Sequence, residues 1–309
     1  MSKELQKPND LIRLESIKKT LIVRAKTISL IREFFDLNGY LEIDTPIAIK
    51  SPAPEDYINA PKAGDLFLRS SPELHMKRVV AAGYDKIYQI GKCFREGEKG
   101  KLHNVEFTML EWYEANSNYD NLLAFLKGML IYVSQKLKEL SLLPTSNEID
   151  FRSNWFDISI TEAFEKFADC DINTSIKDNL FEIVLTEQVE PNLPKNIPTI
   201  LRNYPKEFAA LSKLNTDGTA ERFELYINGI EIANAYSELT DFDEQKKRFE
   251  KAHKNREHAK LPLYPEDNEF FAALKYGITD FTGCALGIDR LVMIFTECKN
   301  IKETITFIE

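Results

Sequence analysis

Residues 220–241 read AERFELYINGIEIANAYSELTD, and three glutamates recur in this stretch at an even interval, Glu224, Glu231 and Glu238. Asn228-Gly229 falls between the first two, flanked by alternating apolar residues. That is the signature of a two-residue hairpin loop, because both central positions of a type I′ turn need positive φ. On this pairing Ile227 faces Ile230, Tyr226 faces Glu231 and Glu224 faces Ala233. Glu224 and Glu231 are then diagonal neighbours on one face, roughly 7–8 Å apart at the backbone. Carboxylates that close repel unless a cation lies between them, and Mg²⁺ takes one or two carboxylates together with substrate phosphates. The same residues also suit the solvated outer face of an ordinary hairpin. Glu238 breaks the parity set by Glu231 and shares its face only if a bulge or a strand end intervenes.

Towards the C-terminus, residues 279–295 read TDFTGCALGIDRLVMIF. Gly283, Ala285 and Gly287 alternate, so one face of a strand is nearly bare, and small residues there let a flat ligand or another backbone approach closely. Asp289-Arg290 then begins an apolar helix. Neither a G-x-G-x-x-G fingerprint nor a G-x-x-x-x-G-K-[ST] loop is present, so phosphate binding by those routes is excluded. Before the hairpin, Tyr88–Arg95 and His103–Tyr113 read as two strands joined by the loop 96–102. His103, Phe107, Glu111 and Tyr113 share parity on the second strand, a face that makes poor core. With Arg95 at the base of the loop, it offers a cation for phosphate and a ring to stack on a base.

Earlier still, Ser71-Pro72-Glu73 opens a helix that Gly83 can end; Ser at N-cap, Pro at N1 and an acid in the first turn make capping the simplest role for Glu73. From Leu11 to Leu37 apolar residues keep helical spacing, closed by Asn38-Gly39, and Tyr40–Thr45 alternates as a strand stopped by Pro46. Residues 47–65 read as a loop. Between 120 and 220 the pattern gives helices around Leu122–Leu140 and Thr161–Ala168 and a Pro-broken segment, read as an insertion packed on the main sheet. Phe242–Leu261 is a charged helix with a solvated face.

The chain of 309 residues is 43% hydrophobic and 29% charged, with a net charge of −9. That composition fits a globular protein and gives no broad electrostatic footprint for DNA or RNA. No run reaches the length of a membrane span and the start, MSKELQKPND, has no leader pattern, which makes a cytoplasmic location the expectation. Cys93, Cys170, Cys284 and Cys298 are scattered and form no C-x-x-C pair, so neither zinc nor a disulfide framework is expected.

Taken together and in order, these pieces resemble the three signature motifs of class II aminoacyl-tRNA synthetases. The helix and strand ending at Pro46 resemble motif 1; Phe94-Arg95 through His103-Asn104-Val105-Glu106-Phe107 resembles motif 2; Gly283 to Arg290 resembles motif 3. SPELHMKR, HNVEFTMLEWYE, ERFELYINGIEIANAYSEL and ALGIDRLVM are lysine-type, and the chain starts directly at motif 1. It is therefore most similar to the stand-alone paralogues of lysyl-tRNA synthetase that attach lysine, preferably β-lysine, to a lysine side chain of elongation factor P.

The resemblance implies an α+β fold, with a mainly antiparallel sheet flanked by helices. It implies one catalytic domain over residues 1–309, no anticodon-binding domain, no stable tRNA binding, and a homodimer through motif 1. It implies ATP and Mg²⁺ as cofactors. Arg95 and Arg290 would be catalytic, Arg95 on the α-phosphate and Arg290 sandwiching the adenine with Phe107. His103, Asn104, Glu231, Ile232, Asn234 and Gly287 would complete the nucleotide site, with Glu224 and Glu231 on the metal. Ser71, Pro72, Glu73, Glu111, Tyr113, Glu238 and Ala285 would surround the amino acid, whose two amino groups need carboxylate partners. Ala285 stands where lysyl-tRNA synthetases carry glycine, and its methyl narrows the pocket. Two departures stand out: Arg95-Glu96-Gly97 replaces the usual Arg-Asn-Glu, leaving Glu96 or Glu98 to read the adenine amino group, and Ala235 replaces a frequent glycine.

Overall fold

The long amino-terminal helix forms in two pieces, α1 (Asn9–Ser16) and α2 (Lys18–Leu37), meeting at the buried Ile17. α2 stops at Asn38, and Gly39 takes φ +74° to turn the chain. The computed structural model describes residues 7–308; residues 1–6, on which the reading of a leaderless start partly falls, and residue 309 lie outside the described residues. The strand expected over 40–45 is only β1 (Leu41–Glu42). Beyond Ile43 the backbone leaves the ladder, and the Thr45 amide donates to the Gln89 side chain instead. Short strands β2 (Ala48–Ile49), β3 (Lys62–Ala63) and β4 (Leu66–Leu68) form a small separate sheet across the segment read as loop.

After α3 (Glu73–Ala81) come β5 (Lys86–Phe94) and β6 (Glu106–Ala115), then α4 (Tyr119–Glu139). Residues 156–202 supply β7 (Phe156–Ser159), α5 (Ile160–Phe167), α6 (Ile172–Lys177), α7 (Phe181–Val184) and β8 (Thr199–Arg202). The glutamate hairpin is β9 (Arg222–Ile227) and β10 (Ile230–Ser237), followed by α8 (Phe242–His258), α9 (Asn268–Tyr276), β11 (Phe281–Gly287) and α10 (Ile288–Thr296). The main sheet has eight strands in the order β1-β5-β6-β11-β10-β9-β8-β7, parallel only at its two edge pairs. This is the α+β architecture expected. The stretch 120–220 does more than pack on the sheet, since it contributes two of its strands.

One face of the sheet is core. Tyr88, Leu110, Trp112, Phe223, Leu225, Ala233 and Leu286 point from it into a single cluster with residues of α2, α4 and α10. The opposite face carries the polar side chains, and β10 decides how many of them reach it. Asn228 and Gly229 take φ +56° and +76°, the type I′ turn that the sequence demands. Ile230 faces Ile227 and Glu231 faces Tyr226, as read, but Ile232 is an extra residue and Ala233 then pairs with Leu225. Glu224 therefore faces Asn234 and not Ala233, as the regular ladder had it. The bulge also reverses parity, bringing Asn234, Tyr236 and Glu238 to the face that holds Glu224 and Glu231.

A buried ion pair ties the helical layer to this sheet. Asp289, 2% exposed at the start of α10, accepts from Arg24 of α2 at 2.5 Å and from the Thr108 amide of β6 at 2.6 Å. Arg24 donates in turn to Thr108 Oγ1 at 2.8 Å. Removing one member of a buried pair leaves the other charge uncompensated, at a cost of about 3–5 kcal/mol. Asp289→Ala should lower the unfolding free energy by about 3 kcal/mol, the low end because Arg24 is partly hydrated. Urea denaturation measures it, and a loss below about 1 kcal/mol, the size of an exposed pair, would mean the tie is not structural.

Candidate active site

The polar face has an acidic end and a cationic end. At the acidic end β6 presents Glu111 and Tyr113, β11 presents Gly283 and Ala285 beside them, and Glu238 follows directly on the end of β10. The N-terminus of α3 closes this end. Ser71 is not the N-cap itself, a position Pro72 takes, yet its hydroxyl accepts from the Glu73 amide at 3.0 Å and donates to Glu111 Oε2 at 2.9 Å. Tyr113 donates to Glu111 Oε1 at 2.7 Å. Glu73 does more than cap the helix dipole: its carboxylate accepts from Lys77 at 2.5 Å, and Lys77 reaches Glu238 at 2.7 Å. A Cβ on Gly283 would overlap Glu238 Oε1 and the Tyr113 ring, so only glycine fits there.

Burial and the neighbouring Glu73 charge push the Glu111 carboxyl up to about 7, against the two hydroxyl donors that favour its ionised form. Burial likewise pushes Glu238 up, with Lys77 opposing. An acidic, largely desolvated pocket of this kind suits a ligand carrying ammonium groups.

At the cationic end Arg95 lies over the Phe107 ring, 5.2 Å from its centroid, with Glu98 at 3.9 Å. Burial pushes up the carboxyl of Glu55, an acid facing Arg95 from the loop before β3, and the Arg95 charge opposes this. Arg290 donates to the Glu231 carbonyl at 2.9 Å and its carboxylate at 3.2 Å, and lies 2.7 Å from His103 Nε2. His103 does not share the strand of Phe107, Glu111 and Tyr113 as its parity suggested. β6 begins at Glu106, because the Gly100 amide pairs with the His103 carbonyl and the Asn104 side chain donates to the Glu106 carbonyl at 2.7 Å, which shapes 100–106 as a turn. His103 reaches the site through the loop, and burial together with Arg290 holds its pKa down.

On the β9–β10 side of the same face stand Glu224 and Glu231, the latter bound to Arg290. Glu224 is buried, accepting from the Tyr204 and Tyr226 hydroxyls, each at 2.6 Å, and from Arg222. Glu231 is turned to the cleft with 40% of its side chain exposed. Both are hard oxygen donors, on one face of adjacent strands, a set that fits Mg²⁺ and not a soft metal. Among the described residues no group of three or more His, Cys, Asp and Glu gathers as a closed metal cluster. Asn234 accepts from Arg222 at 3.2 Å and donates to Tyr236 at 2.8 Å, beside this pair.

Two residues fall on the other face. The Ile232 side chain is 2% exposed in the core, so only its main chain can approach a nucleotide, and Ala235 is fully buried there, away from the site. Gly287 precedes α10 and stands next to Arg290. The sequence reading missed Lys77, Arg222, Tyr204 and Tyr226. Lys77 was within reach, being four residues after Glu73 on one helix face; Tyr204 joins from a loop with no local signal.

The chain belongs to the tRNA synthetases class II (D, K and N), whose family pattern matches residues 4–309. Among individual proteins it is similar to the elongation factor P–(R)-β-lysine ligase of Histophilus somni strain 2336, 35% identical over 308 residues and covering 94% of each chain. The proteins of the same name from Hamiltonella defensa and Yersinia pestis strain Pestoides F are each 36% identical, covering 93% of this chain and 94% of their own.

Carbon-13 NMR titration of the Glu111 carboxyl should give a midpoint near 7 in the ligand-free protein. Glu73→Gln, by removing the like charge, should move that midpoint down, and Tyr113→Phe, by removing a donor to the carboxylate, should move it up. A midpoint in the ordinary carboxylate range would mean that the pocket is hydrated.

Proposed function

We propose that this protein activates a lysine-type amino acid with ATP and transfers it to a lysine side chain of elongation factor P, with (R)-β-lysine as the preferred substrate. The observation that carries this is the polar face itself: an acid-lined end for the ammonium groups of a diamino acid, a few residues along the same strands from an arginine end for phosphate. The names of the relatives supply the acceptor and the β isomer. Ala285, opposite Glu111 and Asn234 in the ladder, narrows the pocket between the two ends by a methyl group and so favours one isomer.

In the first step the amino acid carboxylate attacks the α-phosphorus of ATP in line, forming an aminoacyl-adenylate and releasing pyrophosphate. Glu73, Glu111 and Glu238 hold the ammonium groups, with Ser71 and Tyr113 orienting Glu111. Arg95 binds the α-phosphate, and Phe107 and Arg290 hold the adenine. Glu231, with Glu224 behind it, would hold Mg²⁺ on the phosphates, where the ion supplies charge neutralisation. In the second step the acceptor amine attacks the activated carbonyl and AMP leaves. Orientation and charge stabilisation carry both steps, and no side-chain nucleophile is needed.

Leu37, Leu41 and Ile47 are 70%, 50% and 44% exposed along the β1 edge, beside a cleft of about 560 Å³ lined by Ile43, Pro46 and Val79. This apolar edge supports a homodimer through motif 1. The charge of −9 supports a protein acceptor over stable tRNA binding. A substrate drawn from the translation machinery supports a cytoplasmic location. No helix of the described residues is long and apolar enough to cross a membrane.

Intact-mass analysis of elongation factor P incubated with the protein, ATP, Mg²⁺ and either α- or β-lysine should show a gain of one lysyl residue, larger with β-lysine. Arg95→Ala should slow this by about 10²–10³-fold, the usual loss for one donor to a developing charge. Charging of lysine-accepting tRNA with no gain on the protein would instead make this a tRNA enzyme. Lysine binding without either product would make it a binder.

A further inference from the structure

Lys77 has no place in the reaction just described, yet it sits at the centre of the acidic end. It is 1% exposed, one turn after Glu73 on α3, with Nζ 2.5 Å from Glu73 Oε1 and 2.7 Å from Glu238 Oε2. An ammonium group that deep is costly unless paired, and here both partners are acids of the amino-acid pocket. Each partner gives Lys77 one oxygen. The second oxygen of Glu238 lies over Gly283, beneath α3, where the missing Cβ leaves room for it.

We propose that Lys77 is a positioning residue that sets specificity for a diamino acid, fixing Glu73 and Glu238 by one oxygen each so that their other oxygens face the substrate ammonium groups. Charge arithmetic agrees with the geometry. Glu73, Glu111 and Glu238 against one lysine leave two negative charges once all are ionised, a state that burial opposes in the empty pocket and that the two ammonium groups of a diamino acid would favour. Without the internal ammonium the three acids would face one another unscreened, and one of them would take up a proton and lose its grip on an ammonium. With it the carboxylates are oriented before the substrate arrives, which lowers the ordering cost of binding.

This inference rests on the proposed function, so lysine and β-lysine binding to the unmodified protein is measured first by calorimetry. No binding there would overturn that function and this role together. Given binding, lysine-dependent ATP–pyrophosphate exchange in Lys77→Ala should show KM for the amino acid raised at least about tenfold, with KM for ATP within about twofold. Ethylammonium should lower the raised KM in the variant by filling the vacated site, and in the unmodified protein it should only compete. A KM for lysine unchanged in a folded variant would overturn the proposal and leave Lys77 as a tie between α3 and β10. Should the variant fail to fold, nitrogen-15 NMR of the lysine ammonium groups decides in the unmodified protein. The Lys77 signal should be protected from solvent and should shift on adding lysine but not ATP; a signal indifferent to lysine would overturn the role.

Discussion

A single extra residue in β10 governs what this sheet can do. On the turn side of Ile232 the ladder is regular and Glu231 stands over the cleft; on the other side Asn234, Tyr236 and Glu238 stand over it too. An unbroken ladder would turn those three into the core and expose Ala233 and Ala235, which are buried to within 1%. Burying an asparagine, a phenol and a carboxylate against Phe223 and Leu225 without partners would cost several kcal/mol, of the order of 1–3 for each neutral group. The bulge thus serves both faces: it keeps the core apolar, and it lets one stretch of chain bring Glu231 to the cationic end of the polar face and Glu238 to the acidic end.

That arrangement brings many acids together, and each is held by a cation or a set of donors on the protein. Glu224 has Arg222 and two tyrosines, Glu231 has Arg290, and Glu73 and Glu238 share Lys77. Glu111 has only hydroxyls, from Ser71 and Tyr113, and its carboxyl is pushed up to about 7. The pocket therefore has one acid whose charge is left for a ligand to stabilise. An incoming ammonium group supplies the missing cation, which couples binding to ionisation at that position.

Much of this was legible in the residues. Asn228-Gly229 could only be a type I′ turn, the small residues of β11 announced a bare face, and the order of motifs gave the architecture. What stayed illegible was non-local. The bulge shows in the run IEIANA only as a change of phase, apolar residues at 230 and 232 giving way to 233 and 235, and the broken parity of Glu238 allowed a bulge or a strand end without choosing between them. His103 was placed by parity on a strand that starts three residues later, since the Gly100 amide of the preceding loop takes the His103 carbonyl and the Asn104 side chain takes the Glu106 carbonyl. β7 and β8 are four residues each, too short to show a period; β8 joins the sheet along the β9 edge at Tyr226 and Leu225, and β7 is added only through β8. Lys77 and Arg256 sit on faces that a polar pattern assigns to solvent; Arg256 is buried holding the carbonyls of Glu55, Ile58 and Pro262, a loop-stapling role that charge patterning cannot show.

The departure in motif 2 has a geometric answer. Gly97 takes φ +82°, and the Glu98 amide turns back to the Arg95 carbonyl at 3.4 Å. Residues 95–98 form a turn whose third position favours glycine, because a side chain there would be strained even with open space around it. Glu96, the residue before, is exposed, whereas Glu98 comes back, half-buried, to within 3.9 Å of Arg95. An acid is therefore still delivered to the cationic end, one position later than the family pattern has it. The turn that excludes a glutamate at 97 is the same turn that carries the one at 98 into reach, so the change of sequence and the retention of the charge have one cause.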